Sequence, residues 1–141
     1  MKLGIFCLIA LWLTIPIADA VTPQKAGATS VFVRKIVAAN GGAEALDKAT
    51  GYADQLQQAM ATRIKKNKSF NLVSAEKAGK ATYAIEIFFK VYDQSFVASW
   101  AIYAIGRETA VKTDHAEFTE TPEPDALAGA LSAEVFKLTK P

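Results

Sequence analysis

The architecture of this chain is set by the stretch LDKATGYADQLQQAMATRIKKNKSFNLVS, residues 46–74. One set of apolar residues recurs in it every three or four positions, the spacing of a buried helix face: Leu46, Ala49, Ala53, Leu56, Met60 and Ile64. Gly51 weakens the pattern, so we expect the helix to begin either at Ala43 or at Thr50, which would then act as the N-cap. A long amphipathic helix is therefore the central element of the predicted fold.

A strand is predicted on each side of this helix. Before it, residues 30–38 are rich in β-branched side chains, and the pair Gly41-Gly42 follows the run. After it, residues 69–74 alternate apolar and polar side chains over one short strand. Strand, helix and strand form a βαβ unit, whose two strands should run parallel.

The second half of the chain predicts three more strands, over 82–92, 96–104 and 109–120. Turn-forming residues separate them, so they should form an antiparallel meander with the last, most polar strand near an edge. A closing helix capped by Asp125 is predicted from a second apolar stripe: Leu127, Leu131, Val135 and Leu138. The predicted fold class is α+β, a single mixed β-sheet packed with a long helix and a C-terminal helix.

The first twenty residues predict export. A positive start at Met1-Lys2 precedes an apolar run, and the small residues of Ala18-Asp19-Ala20 close it, which is typical of a signal peptide cleaved after Ala20. The run is shorter than the roughly 20 apolar residues that a membrane span needs. We therefore expect a periplasmic or secreted protein without a stable membrane anchor, with a signal peptide over 1–20, a flexible lead-in over 21–29 and a single domain over 30–141.

Composition excludes several kinds of function. The single cysteine, Cys7, lies inside the predicted signal, so the mature chain would form no disulfide, thiol nucleophile or thiolate metal site. Loss of Lys2 and Asp19 removes one charge of each sign and leaves the net charge at +2, which is too balanced to favour nucleic acid. The local cluster formed by Arg63, Lys65, Lys66 and Lys68 favours interaction with a helix C-terminus, with an anionic surface as the alternative.

Catalytic motifs are sparse. His115 is the only histidine, and the predicted polar strand that carries it also brings Glu117 close, with Glu120 and Glu123 beyond. A solvated rim explains this group better than an acid–base pair or a metal site. The pair Gly41-Gly42 lacks the spacing of a phosphate-binding loop. We predict a protein that is not an enzyme and needs no metal or cofactor.

Aromatic residues are the candidate binding residues. Five of them are expected to lie close together on neighbouring strands: Phe88, Tyr92, Phe96, Trp100 and Tyr103. They form either core beneath the helices or a binding surface for a protein or an apolar ligand.

Three local sequences resemble a known family. Residues 81–87, ATYAIEI, resemble the Ala-Asp-Tyr-Val-Ile-x-Gly strand of the amino-terminal domain of TolB and its relatives, with Thr82 in place of Asp and Ile87 in place of Gly. The helix that leads into 69–74 and the strand 97–105 with its glycine turn are similar to the flanking elements of that domain. The resemblance implies a non-enzymatic interaction module of the bacterial envelope.

The sequence therefore predicts an exported accessory or adaptor domain that binds another cell-envelope protein. The alternative is a periplasmic carrier of a small apolar or aromatic ligand, which an enclosed cavity lined by Phe88, Phe96 and Trp100 would favour. A hydrolase is the third hypothesis.

Overall fold

The computed structural model describes residues 25, 27–39, 43–92 and 94–138, with the backbone alone over 43–49. In chain order its strands and helices are β1 (Thr29–Val33), β2 (Val37–Ala38), α1 (Ala43–Lys66), β3 (Phe70–Leu72), β4 (Tyr83–Tyr92), β5 (Ser95–Ala104), β6 (Ala110–Phe118) and α2 (Pro124–Phe136). A short 3-10 helix, Ala75–Lys80, joins β3 to β4. The predicted signal peptide and the side chains of Leu46 and Ala49 lie outside the described residues.

The described strands form one mixed sheet in the order β3-β1-β4-β5-β6, with β2 paired to β4 beyond the end of β1. Strand β1 is parallel to both β3 and β4, while β4, β5 and β6 are antiparallel to their neighbours. This order confirms the predicted βαβ unit followed by an antiparallel meander, with β6 at an edge. Gly106 adopts a φ of 85° in the turn between β5 and β6, a conformation that glycine reaches without steric cost.

The predicted first strand, residues 30–38, is interrupted in its middle. From the Val33–Ile85 pair to the Val37–Phe88 pair, the chain advances four residues between β1 and β2 but three residues along β4. The ladder is therefore broken between these two pairs. Helix α1 fills the break through Gln57, whose side-chain oxygen accepts a hydrogen bond from the Ile36 N–H at 2.9 Å and whose nitrogen donates to the Val33 carbonyl at 3.4 Å. Tertiary hydrogen bonds to the helix here replace the ladder that β-propensity alone predicts.

Both helices contribute to the core on one face of the sheet. Helix α1 begins at Ala43, and its stripe is buried at Ala53, Leu56, Met60 and Ile64. Helix α2 adds its own buried stripe to the same cluster, at Leu127, Ala128, Leu131 and Val135. Each large apolar side chain buried in this way stabilises the fold by about 1.5–3 kcal/mol.

The start of α2 differs from the prediction. The helix begins at Pro124 with Glu123 in the N-cap position, so Asp125 is not the cap. Proline fits the first helical position because its missing N–H would have no partner there. Asp125 lies instead in the first turn, where its carboxylate accepts a 2.8 Å hydrogen bond from Arg63 of α1.

Candidate functional site

The sheet has one covered and one open face. Along β4, Ile85, Ile87 and Phe89 are 1–2% exposed and belong to the core under the helices, whereas Phe88 points the other way and is 41% exposed. Successive residues of a strand alternate between faces, so the even-numbered residues of β4 share the side of Phe88. We call this side the open face.

An apolar patch lies on the open face. Val37 pairs with Phe88 across β2 and β4, and Val97 pairs with Lys90 across β4 and β5. Val37 is 46% exposed and Tyr92 is 48% exposed. The ammonium group of Lys90 lies 5.3 Å from the centre of the Tyr92 ring, within range of a cation–π interaction. We call Val37, Phe88, Tyr92 and Val97 the apolar patch.

Next to the apolar patch, long side chains of the sheet itself shield part of the open face from solvent. Arg34 forms a 2.8 Å ion pair with Glu86, and its guanidinium carbon lies 5.3 Å from the centre of the Tyr103 ring. Ala84, which pairs with Tyr103, is left only 1% exposed. An exposed ion pair of this kind is worth about 0–1 kcal/mol. Its clearer effect is to confine the exposed apolar surface of β4 to the apolar patch and the end of the strand.

The sheet divides the five predicted binding residues between its faces. Phe88, Tyr92 and Tyr103 lie on the open face. Phe96 is fully buried on the covered face, where its ring stacks on Phe89 at a centroid distance of 5.4 Å. Trp100 pairs with Ile87 and packs partly buried against the same core. The residues that sequence reasoning missed are Val37 and Val97, because only the register places them beside the predicted aromatics.

Two buried polar atoms of the described side chains have no partner. The indole N–H of Trp100 and Nε of Arg63 are buried and make no hydrogen bond within the described residues. Tyr52 of α1, by contrast, donates its hydroxyl to the Pro122 carbonyl at 2.9 Å. Burial, with a smaller contribution from the charge of Glu123, raises the pKa of Tyr52 to about 12. Tyr52 thus fastens α1 to the loop before α2 and closes one end of the core.

A cavity of about 390 Å³ lies beside α1, above the end of the short strand β3. Apolar side chains form most of its walls, including Val33, Ile36, Leu72 and Val73. Lys35 and Asp54 add one charge of each sign. The cavity lies between α1, the end of β1 and the segment that follows β3. Its lining does not include Phe88, Phe96 or Trp100, the residues predicted for a ligand cavity.

The polar residues of β6 do not form a catalytic arrangement. The register sets His115 opposite Ser99, with Glu117 next on the same face, but no hydrogen bond joins these three exposed side chains. The backbone N–H of His115 is bonded to the Asp114 carboxylate at 2.9 Å. Across the described residues, no group of three or more His, Cys, Asp or Glu side chains is placed to hold a metal ion.

Comparison with solved structures identifies the fold. TolB from Acinetobacter baumannii superposes with a TM-score of 0.52 at 10% identity, over 78% of this chain and 28% of TolB. This chain therefore spans little more than a quarter of TolB. A neuraminyllactose-binding hemagglutinin homologue from Helicobacter pylori matches with a TM-score of 0.50 at 10% identity, over 82% of this chain and 88% of that protein. A DUF330 protein from Xanthomonas campestris gives 0.50 at 10% identity, over 81% and 86%.

These matches confirm, at the level of fold, the resemblance to TolB amino-terminal-domain-like proteins that the sequence predicts. No protein-family model matches the sequence, and the search of curated proteins found no match. Within the residues that the structure describes, neither helix has the length and apolar character of a membrane span.

Proposed function

We propose that this chain is an exported, non-enzymatic accessory domain that binds another protein of the bacterial cell envelope through the apolar patch. One observation carries the proposal: Phe88, 41% exposed, stands with Val37 and Tyr92 on a sheet face that neither helix covers. Large aromatic side chains at the centre of an interface supply much of its binding energy.

The shape of the open face suits a protein partner. It is part of a sheet surface rather than a closed cavity, and polar side chains continue it across β5 and β6 at Ser99, Thr113 and His115. An apolar centre with a polar rim is the usual anatomy of a protein interface. The likeness in fold to TolB and the predicted signal peptide support a place in the envelope.

The test is capture of an envelope partner by matched variants. The tagged protein is used to recover partners from envelope extract, mass spectrometry names the candidate, and the affinity of the purified pair is then measured. Phe88→Ala should weaken that affinity about tenfold or more, because it removes the centre of the patch. Val111→Ala is the control, since Val111 is 48% exposed on β6 outside the patch.

Circular dichroism melts separate binding from folding. Phe88→Ala should leave the melt close to that of the wild type, and His115→Ala and Glu117→Ala should leave capture intact, because exposed rim charges add little affinity. An unchanged affinity for Phe88→Ala would contradict the proposal. Loss of function in His115→Ala alone, with an unchanged melt, would favour an enzyme.

A carrier of a small apolar ligand is the second candidate, and the cavity beside α1 is the observation that favours it. Ala61 lines this cavity, so Ala61→Leu should fill part of it. If the protein is a carrier, an apolar fluorescent probe such as anilinonaphthalene sulfonate should bind the wild type and be lost from Ala61→Leu. Probe binding that falls with Phe88→Ala instead would locate the apolar site on the open face.

A further inference from the structure

Exposed basic residues meet at one end of the molecule. Lys65 and Lys66 end α1, Lys68 lies in the turn to β3, Lys80 precedes β4, and Arg107 lies in the turn between β5 and β6. We call these five residues the basic end. Among the described residues, none of them forms an ion pair.

The topology explains why these segments converge. Phe70, the first residue of β3, pairs with Thr29, the first of β1. Tyr83, the first residue of β4, pairs with Ala104, the last of β5. Helix α1 therefore ends at the same end of the sheet as the turn between β5 and β6.

Carboxylates collect at the opposite end. Glu117 stands near the end of β6, and Glu120 and Glu123 lie in the loop between β6 and α2. Glu108 lies beside Arg107, and Glu134, near the end of α2, is paired with Lys112 and Lys137. The unpaired lysines and arginine of the basic end and the carboxylates of this loop therefore lie at opposite ends of the strands, and Coulomb attraction orients such a molecule near a charged surface.

Helix capping does not account for the basic end. The ammonium group of Lys25 already donates to the carbonyls at the end of α1, at 2.8 Å to Lys65 and 2.5 Å to Asn67, and also at 3.2 Å to Phe70. The side chains of Lys65, Lys66 and Lys68 bond to none of these carbonyls, so they are available to an external anion.

The chain also enters the fold at this end. The backbone N–H of Lys25 donates to the Asn71 side chain at 2.9 Å, and the Asn71 amide returns a bond to the Lys25 carbonyl at 3.1 Å. This part of the predicted lead-in is thus held against β3. The start of the described chain is therefore fixed at the same end of the sheet as the basic end.

We infer that the basic end binds the headgroups of an anionic phospholipid bilayer. Each lysine close to an anionic lipid surface raises the binding affinity of the protein about fivefold. In this orientation the strands stand away from the bilayer, and the open face turns sideways. The membrane contact therefore leaves the apolar patch accessible, and it goes beyond the proposed function without depending on it.

Vesicle sedimentation with charge-matched variants tests the inference. Protein expressed from the full chain and purified from the envelope fraction is mixed with vesicles of phosphatidylglycerol and phosphatidylethanolamine, or of phosphatidylcholine alone, at about 0.1 M salt. The double variant Lys65→Glu, Lys68→Glu should lose more than about twenty-fivefold in binding to the anionic vesicles, because it adds repulsion to the attraction that is lost. Its control is Lys35→Glu, Lys90→Glu, which changes the net charge equally but lies outside the basic end, and should lose less than threefold.

The neutral substitutions Lys65→Gln and Lys68→Gln repeat the test if charge reversal disturbs the melt, with an expected loss of about twenty-fivefold for the pair. Equal losses in the two double variants, equal binding to phosphatidylcholine, or no binding of the wild type would each overturn the inference. Binding to soluble polyglutamate but not to vesicles would overturn the inference and indicate that the basic end binds an acidic protein partner. Phe88→Ala should bind vesicles as the wild type does, so this result is separable from the test of the apolar patch.

Discussion

The two faces of the sheet are built by the same strands but differ in what their side chains contact. Beneath the helices, Phe89 stacks on Phe96 and meets the edge of Tyr52, so three rings close one end of the core. On the open face, the neighbouring residue Phe88 contacts solvent, and Lys90 and Glu86 flank it along β4. One step along a strand therefore separates a residue needed for stability from a residue available for binding.

The hydrophobic pattern of β4 predicts which face is covered but not the role of the other face. The odd-numbered residues are all apolar, whereas Glu86 and Lys90 interrupt the even-numbered face, so the buried stripe of α1 meets the odd-numbered face. Phe88 and Tyr92 still leave large apolar side chains on the opposite side. An exposed phenylalanine on the remaining face has no packing role, which is why it points to binding.

The largest expected effect is on the covered face. Phe89→Ala should lower the free energy of unfolding by about 3–5 kcal/mol, because it removes a ring that is 1% exposed and leaves a cavity. Phe88→Ala is the matched control and should cost about 1 kcal/mol or less. Urea unfolding followed by circular dichroism measures both. Equal midpoints for the two variants would show that both faces are covered.

A second large effect is expected on the helix that covers the sheet. Leu56→Ala should cost about 2–5 kcal/mol, since Leu56 is fully buried in the stripe of α1. Gln58→Ala, two residues further and exposed, should change the free energy of unfolding by about 0.5 kcal/mol at most. If Gln58→Ala proves the more damaging of the two, α1 presents a different side to the sheet.

Periodicity was sufficient to predict most of the fold. The spacing of Leu56, Met60 and Ile64 predicted α1 and its buried side, and the turn residues predicted the meander. One detail depends on a tertiary contact that no local pattern reports, because Gln57 interrupts the first strand by bonding its backbone. The start of α2 is a local signal instead, since Pro124 takes the first helical position and Asp125 falls inside the helix.

The candidate site was harder to predict because it depends on register. Composition drew attention to the aromatics, but the sequence could not say that Phe96 faces away from Phe88. That follows from the pairing of Phe88 with Ser99, which puts Phe96 on the same side as Phe89. Val37 belongs to the site because β2 pairs with β4, a pairing that the sequence does not predict. The basic end could not be predicted from local sequence either, because only the topology brings Arg107 and Lys65 to the same end of the sheet.

A smaller effect is expected where the covered face meets the loop before α2. Tyr52→Phe should cost about 1 kcal/mol by removing the hydrogen bond to the Pro122 carbonyl. The folded-state pKa of Tyr52 is raised from 10.0 to about 12, so folding favours the protonated phenol. The corresponding stability is complete below pH 10 and is lost as the pH rises toward 12.

The alkaline limb of the stability curve checks this assignment. The free energy of unfolding of the wild type should fall more steeply between pH 10 and pH 12 than that of Tyr52→Phe, as measured by urea titration at each pH. Parallel curves for the two proteins would mean that Tyr52 titrates alike in the folded and unfolded chains.

The smallest effects are expected from two helix glycines in the layer that covers the sheet. A Cβ at Gly51 of α1 meets no atom within 4 Å, so Gly51→Ala should stabilise the protein by about 1 kcal/mol through helix propensity.

A Cβ at Gly129 of α2 would lie 3.3 Å from the guanidinium carbon of Arg63. Arg63 would have to shift and strain its 2.8 Å bond to Asp125, an exposed pair worth about 0–1 kcal/mol. The two terms oppose each other, so Gly129→Ala should leave the free energy of unfolding, measured by urea titration, within about 0.5 kcal/mol of the wild type. A gain as large as that of Gly51→Ala would show that Arg63 yields without cost. A loss above about 1 kcal/mol would show that the close approach of α1 and α2 at Gly129 is rigid, and that the covering layer is held as tightly as the core below it.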